Sequence, residues 1–123
     1  MYHAAAKTYA RNEDLSVHGR IAEGRAFAKA ARMLDELLSN PADSNLRAET
    51  VALNRVLWTA VQAEVTAPGC QLPDRLKAGL MSLSLFADQQ VLRMRVSRDA
   101  APIEALIAVN RNMAGGLLAE TAH

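Results

Sequence analysis

The stretch "RIAEGRAFAKAARMLDELL", residues 20–38, decides the fold. Phe27, Ala31, Leu34 and Leu38 recur at spacings of four, three and four, which lines them along one side of a helix. Ala26, Ala30, Met33 and Leu37 widen the stripe. A helix with such a stripe buries it against another element, and its small alanines let that element come close. Gly24 is a mild cost inside it. Asn40 precedes Pro41, which disfavours a helical Asn40 and ends the element there.

Downstream, the same period recurs between Pro- and Gly-marked breaks. "PADSN" offers Asp43 or Ser44 as a helix cap, and the pattern then runs helically to about Thr66. Leu53, Leu57, Val61 and Val65 form its main stripe, with Thr50, Asn54, Trp58 and Val61 beside it. "TAPGCQLPD" breaks the chain at the Pro68-Gly69 turn signal. Pro73 can take the first helical position of the next element, where Asp74 suits the dipole. Leu76, Leu80, Leu83, Ala87, Val91 and Met94 share one face of it, flanked by Leu72 and Phe86. "RMRVSR", Arg93 to Arg98, reads as a helix end. After "SRDAAP", Pro102 can sit in a first turn, and Ile103, Leu106, Ile107, Asn110, Ala114 and Leu117 follow at helical spacing. Gly115-Gly116 before Leu117 resembles a glycine stop with a hydrophobic lock. Upstream, Tyr2 to about Arg11 is a short Ala-rich helix candidate with Tyr2, Ala6 and Tyr9 on one face; alone it is marginal and must dock. β-branched residues are sparse and alternation is not sustained, so strands are not expected. The reading is an all-α protein, a small bundle of four to five helices, with residues 1–123 as one domain.

Bulk properties narrow the function. The chain has 123 residues, 50% hydrophobic but only 4% aromatic, with net charge +1. That length suits one domain with a modest core. The charge balance lacks the basic excess of a dedicated nucleic-acid binder, so no direct nucleic-acid contact is expected. No window approaches the ~18 apolar residues of a membrane span, and the opening lacks the apolar core of a secretory signal. Cys70 is the one cysteine, so no internal disulfide can form, which fits a reducing compartment. A soluble, cytoplasmic protein is expected.

Catalytic signatures are missing. His3, His18 and His123 are not spaced to face one another on a helix, and Cys70 has no CxxC partner, so no metal is expected. Ser82 and Ser84 fall inside a helix without a nucleophile elbow. No phosphate-cradling glycine loop occurs. Asp35, Glu36, Glu49, Glu64 and Glu104 read as solvated faces. Neither enzymatic activity nor a cofactor is expected.

What does stand out is asparagine among apolar residues. Asn110 falls within the last stripe, three residues after Ile107. Asn54 precedes Trp58, the one tryptophan, by one helical turn in "ALNRVLWTAV" (residues 52–61). A buried amide without partners costs roughly 1–3 kcal/mol. Each amide therefore either bonds internally and fixes helix register, or sits at an interface beside an apolar groove.

In order along the chain, Asn54 and Trp58, "PGCQLP" (68–73), "RLKAGLMSLSLF" (75–86) and "LIAVNRNMAGGL" (106–117) resemble the FlaF family of flagellar biosynthesis regulators. The opening "MYHAAAKTYA" is similar too, and Glu23 more weakly, so the resemblance spans nearly the whole chain. Its specificity lies in several short motifs in one order. Cys70 departs from it, standing where the family pattern usually has Asn; a thiol is a weaker hydrogen-bonding group, so that turn is capped differently.

The resemblance implies a cytoplasmic, non-enzymatic protein of alphaproteobacterial type that acts in flagellin production, as a flagellin export chaperone, with FlbT as a companion. On that footing the chain would offer an apolar groove to an amphipathic flagellin helix. The partner-binding residues expected for the groove are Asn54, Leu57, Trp58 and Asn110, supported by Leu106, Met113 and Leu117. The competing function is post-transcriptional regulation of flagellin messenger RNA, alone or with FlbT. An Ala-rich bundle with a marginal first helix could also form a homodimer.

Overall fold

The computed structural model describes residues 17–119, and among the described residues every regular element is a helix. In chain order these are α1 (Val17–Ser39), α2 (Ser44–Thr66), α3 (Asp74–Val96) and α4 (Ala101–Ala119). The Tyr2–Arg11 candidate lies outside the described residues, as do His3 and His123.

Local chemistry sets the boundaries. α1 stops at Ser39, one residue before the Asn40-Pro41 pair. Asp43 caps α2, its Oδ1 accepting the Leu46 N–H at 3.0 Å. α2 gives way at Ala67, extended at φ −64° and ψ 137°, directly before Pro68. Pro73 is the capping residue of α3 rather than its first helical residue. Its carbonyl accepts the Lys77 N–H at 3.0 Å, and Asp74 opens the helix. Arg93 and Arg95 occupy the last turn of α3, where cations offset the dipole. Asp99 closes the last connection, its Oδ1 accepting the Ala101 N–H at 3.3 Å.

Short connections force neighbouring helices to run antiparallel. α1 packs on α2, α2 on α3 and α3 on α4, and α4 closes back on α1 through the most extensive of these contacts. Two cross-links show the antiparallel α1–α4 pairing: Gly24 lies under Leu117 and Leu118, and Arg111 pairs with Asp35 at 2.9 Å. α2 and α4 therefore face each other across the middle of the bundle. Phe27, Leu34, Leu37, Trp58, Leu80, Leu106 and Met113 fill that middle, fully buried.

Three sequence expectations change. Helix α4 runs through Gly115 and Gly116 to Ala119, and no described glycine has a positive φ. The glycine stop does not form because Leu117 and Leu118, packed over Gly24 of α1, hold the backbone helical. In α1, Leu37 takes the fully buried place and Leu38 is half-buried. In α2 both stripes are buried except at Leu53. Thr50, Asn54, Trp58 and Val61 are fully buried, whereas Leu53 is only partly covered. Asn54 and Trp58 of the polar-bearing stripe meet Asn110 of α4.

Gly24 and Gly79 are both helical glycines with opposite surroundings. A Cβ on Gly24 would lie 2.8 Å from Leu118 Cγ, whereas one on Gly79 would meet nothing within 4 Å. Gly24→Val is expected to destabilise the bundle by about 1–3 kcal/mol through overpacking. Gly79→Ala is expected to stabilise it by roughly 0.5–1 kcal/mol through helix propensity. Urea denaturation followed by circular dichroism checks both signs.

Candidate functional site

The buried asparagines and the tryptophan form one hydrogen-bonded chain across the bundle axis. Trp58 Nε1 donates to Asn110 Oδ1 at 3.0 Å. Asn110 Nδ2 donates to Asn54 Oδ1 at 2.7 Å. Asn54 Nδ2 donates to the Thr50 carbonyl, one turn earlier on α2, at 2.9 Å. The Thr50 hydroxyl in turn donates to the Leu46 carbonyl at 2.6 Å. Thr50, Asn54, Trp58 and Asn110 are all 0% exposed. Phe27 of α1 abuts the indole, ring centroids 5.2 Å apart and planes at 68°, an edge-on arrangement that adds about 0.5–1.5 kcal/mol beyond area burial.

The polarity of this chain is forced. An indole N–H can only donate and a backbone carbonyl can only accept. Asn110 must therefore turn its oxygen to Trp58 and its nitrogen to Asn54. Asn54 must then accept with its oxygen and donate to Thr50. A donor-only end and an acceptor-only end leave one orientation for both amides. Because Asn110 comes from α4 and the other three residues from α2, the chain fixes the rotation and height of those helices relative to each other.

Asn54, Leu57, Trp58, Leu106, Asn110, Met113 and Leu117 lie in the core, Leu57 the least buried at 9% exposed. The structure joins Asn54, Trp58 and Asn110 in one hydrogen-bonded chain, and all seven are buried.

The apolar surface lies elsewhere. The exposed large hydrophobic side chains among the described residues are Val56, Leu85, Leu92 and Val96, and all four belong to α2 and α3. Around Val56 the outer side of α2 carries Ala52, Thr59, Ala60 and Ala63. A groove between α2 and α3 is lined by Arg55, Thr59, Asp88, Val91, Leu92 and Arg95. Across it Gln62 Nε2 donates to Asp88 Oδ2 at 2.8 Å. Arg47 ties α2 to the ends of its neighbours, donating to the carbonyls of Met94 at 3.0 Å and Pro41 at 3.2 Å. By contrast, the outer side of α1 carries Arg25, Lys29, Arg32, Asp35 and Glu36. In the sequence Val56, Leu85, Leu92 and Val96 are large apolar residues that fall outside the helical stripes.

Chemistry at other places is sparse. No group of three His, Cys, Asp or Glu side chains able to hold a metal occurs among the described residues. Cys70 is half-buried, and its turn is closed by its own backbone N–H bonding to the Ala67 carbonyl at 3.0 Å. That main-chain bond holds the turn without any side-chain cap from residue 70. No helix of the described residues is long and apolar enough to cross a membrane.

Residues 5–117 match the sequence model of a family described as flagellar protein FlaF. No curated protein matches, and no solved structure does.

The forced polarity of the buried chain sets an order of cost. Asn110→Leu strands both the Trp58 N–H and the Asn54 carbonyl oxygen, at roughly 1–3 kcal/mol each. Trp58→Phe strands only the Asn110 carbonyl oxygen. Asn110→Leu is therefore expected to destabilise more than Trp58→Phe. The two should be strongly non-additive, because both remove the same bond. Denaturation of the single and double variants, followed by circular dichroism, measures the order and the coupling.

Proposed function

The chain belongs to the FlaF family of flagellar proteins, and from that premise we propose that it is a cytoplasmic, non-enzymatic export chaperone for flagellin. It binds an amphipathic helix of flagellin and keeps that helix from associating early. The observation that carries this reading is the segregation of exposed apolar side chains. Val56, Leu85, Leu92 and Val96 are 54–78% exposed and all lie on the two adjacent helices α2 and α3. A stable bundle gains nothing from holding four large apolar side chains in water, and grouped exposure of this kind marks a protein-binding surface. Helical partners bind such surfaces through anchors at i, i+3, i+4 and i+7.

On this reading the partner contact is on the outside of the bundle. Asn54, Trp58 and Asn110 then serve the function indirectly, by fixing how α2 stands in the bundle. FlbT is proposed as a companion in the same pathway. Direct action on flagellin messenger RNA is disfavoured by the net charge of +1 and by the burial of Trp58, since single-stranded RNA is held by positive grooves and stacking aromatics.

Titration calorimetry with purified flagellin is expected to show binding at micromolar concentration or tighter. Trp58 emission should keep its buried, blue-shifted position throughout. Absence of binding overturns the chaperone reading. Binding with a red shift means that the bundle opens and that its interior, around Trp58 and Asn110, is the contact. A salt-sensitive gel shift of flagellin messenger RNA by this protein alone would favour the regulatory function instead.

A further inference from the structure

We infer that the α2–α3 face docks an amphipathic helix whose apolar stripe is flanked by acidic side chains. This rests on the chaperone reading for the identity of the partner as flagellin, but not for the location or chemistry of the site. Val56 borders the depression on α2, and Leu92 lines the neighbouring α2–α3 groove; the two share Arg55 and Thr59. Arg95 continues the surface toward Val96 and Arg98 at the end of α3. Leu85 lies two turns before Leu92 on the same side of α3. The face thus sets the arginines Arg55 and Arg95 directly beside the aliphatic Val56 and Leu92.

Charge decides the occupant. Neither Arg55 nor Arg95 has an ion-pair partner among the described residues. The one carboxylate lining the α2–α3 groove is Asp88, which already accepts from Gln62. A second copy of this chain, meeting the face through a two-fold axis, would bring the same surface, one carboxylate, Asp88, for two arginines, and so leave an excess of like charge across the interface, which is costly. The chain's own residues 1–16 carry Lys7 and Arg11 against Glu13 and Asp14, a balanced set with no acidic excess to meet the arginines. An acidic-flanked helix from another protein satisfies both the aliphatic side chains and the arginines beside them.

The test uses the full chain and two synthetic helical peptides with one leucine stripe at i, i+3, i+4 and i+7. One peptide is flanked by Glu and the other by Lys. The Glu peptide is expected to bind the wild type about tenfold or more tightly than the Lys peptide, and to weaken with salt. Arg55→Glu with Arg95→Glu should reverse that preference. Val56→Asp with Leu92→Asp should abolish binding of both peptides; these side chains are 66% and 58% exposed, so circular dichroism should show an unchanged fold. Equal binding of the two peptides, or binding indifferent to either double variant, overturns the proposal. A concentration-dependent dimer abolished by Val56→Asp with Leu92→Asp overturns it in favour of a second copy. Purified flagellin separates the two readings. Flagellin that binds every variant like wild type leaves the chaperone reading standing and removes this face from it. A Glu peptide that binds while flagellin does not leaves the face standing and removes flagellin as its partner.

Discussion

The structure depends on a single directed run of hydrogen bonds through its dry interior, from the Trp58 indole through Asn110 and Asn54 to the Thr50 carbonyl. Apolar packing tolerates small slides and rotations of one helix on another, because many near-equivalent arrangements bury similar area. A buried donor–acceptor chain does not, because any displacement that breaks a link leaves an unpaired polar group in a medium that penalises it. The bundle's leucines and alanines supply the driving force for collapse. The amides choose among the collapsed arrangements.

That division explains why α2 is built as it is. Its axis-facing side holds Thr50, Asn54, Trp58 and Val61, all fully buried. With the polar stripe committed inward, the opposite side of α2 is left to Ala52, Val56, Thr59, Ala60 and Ala63. Its apolar character is therefore not a by-product of core demand. Arg47 steadies this side from one end, reaching from α2 to carbonyls at the end of α3 and in the α1–α2 connection. A rigid helix that presents small side chains outward lets a second helix approach closely, and its stiffness means little ordering is lost on contact.

Much of the fold was legible in the residues. The period of α1, the Asn40-Pro41 break, the Asp43 cap and the arginines at the end of α3 each have a local cause, and local causes survive into the folded state. The failures were non-local. Gly115 and Gly116 look like a stop until Leu117 and Leu118 are seen pressing on Gly24 from a helix ninety-odd positions away in the chain. Periodicity marked Asn54 and Asn110 as unusual and left open whether they faced inward or outward. It could not say that they faced each other, since two stripes on separate helices carry no record of which meets which. The α2–α3 surface escapes the helical period for a related reason: Val56, Leu85, Leu92 and Val96 lie outside every stripe, and their exposure depends on how the helices pack.

The α2–α4 link also orders events in time. A chain leaves the ribosome from its first residue onward, and α4 is the last of the four helices to emerge. Until it arrives, Trp58 and Asn54 have no Asn110 to meet, and α1 lacks its largest neighbour. The three earlier helices can form hairpins, but their interior stays wet and interchangeable. Completion of the native state thus waits on α4, and a nascent chain stalled before it would remain loose and open to quality control.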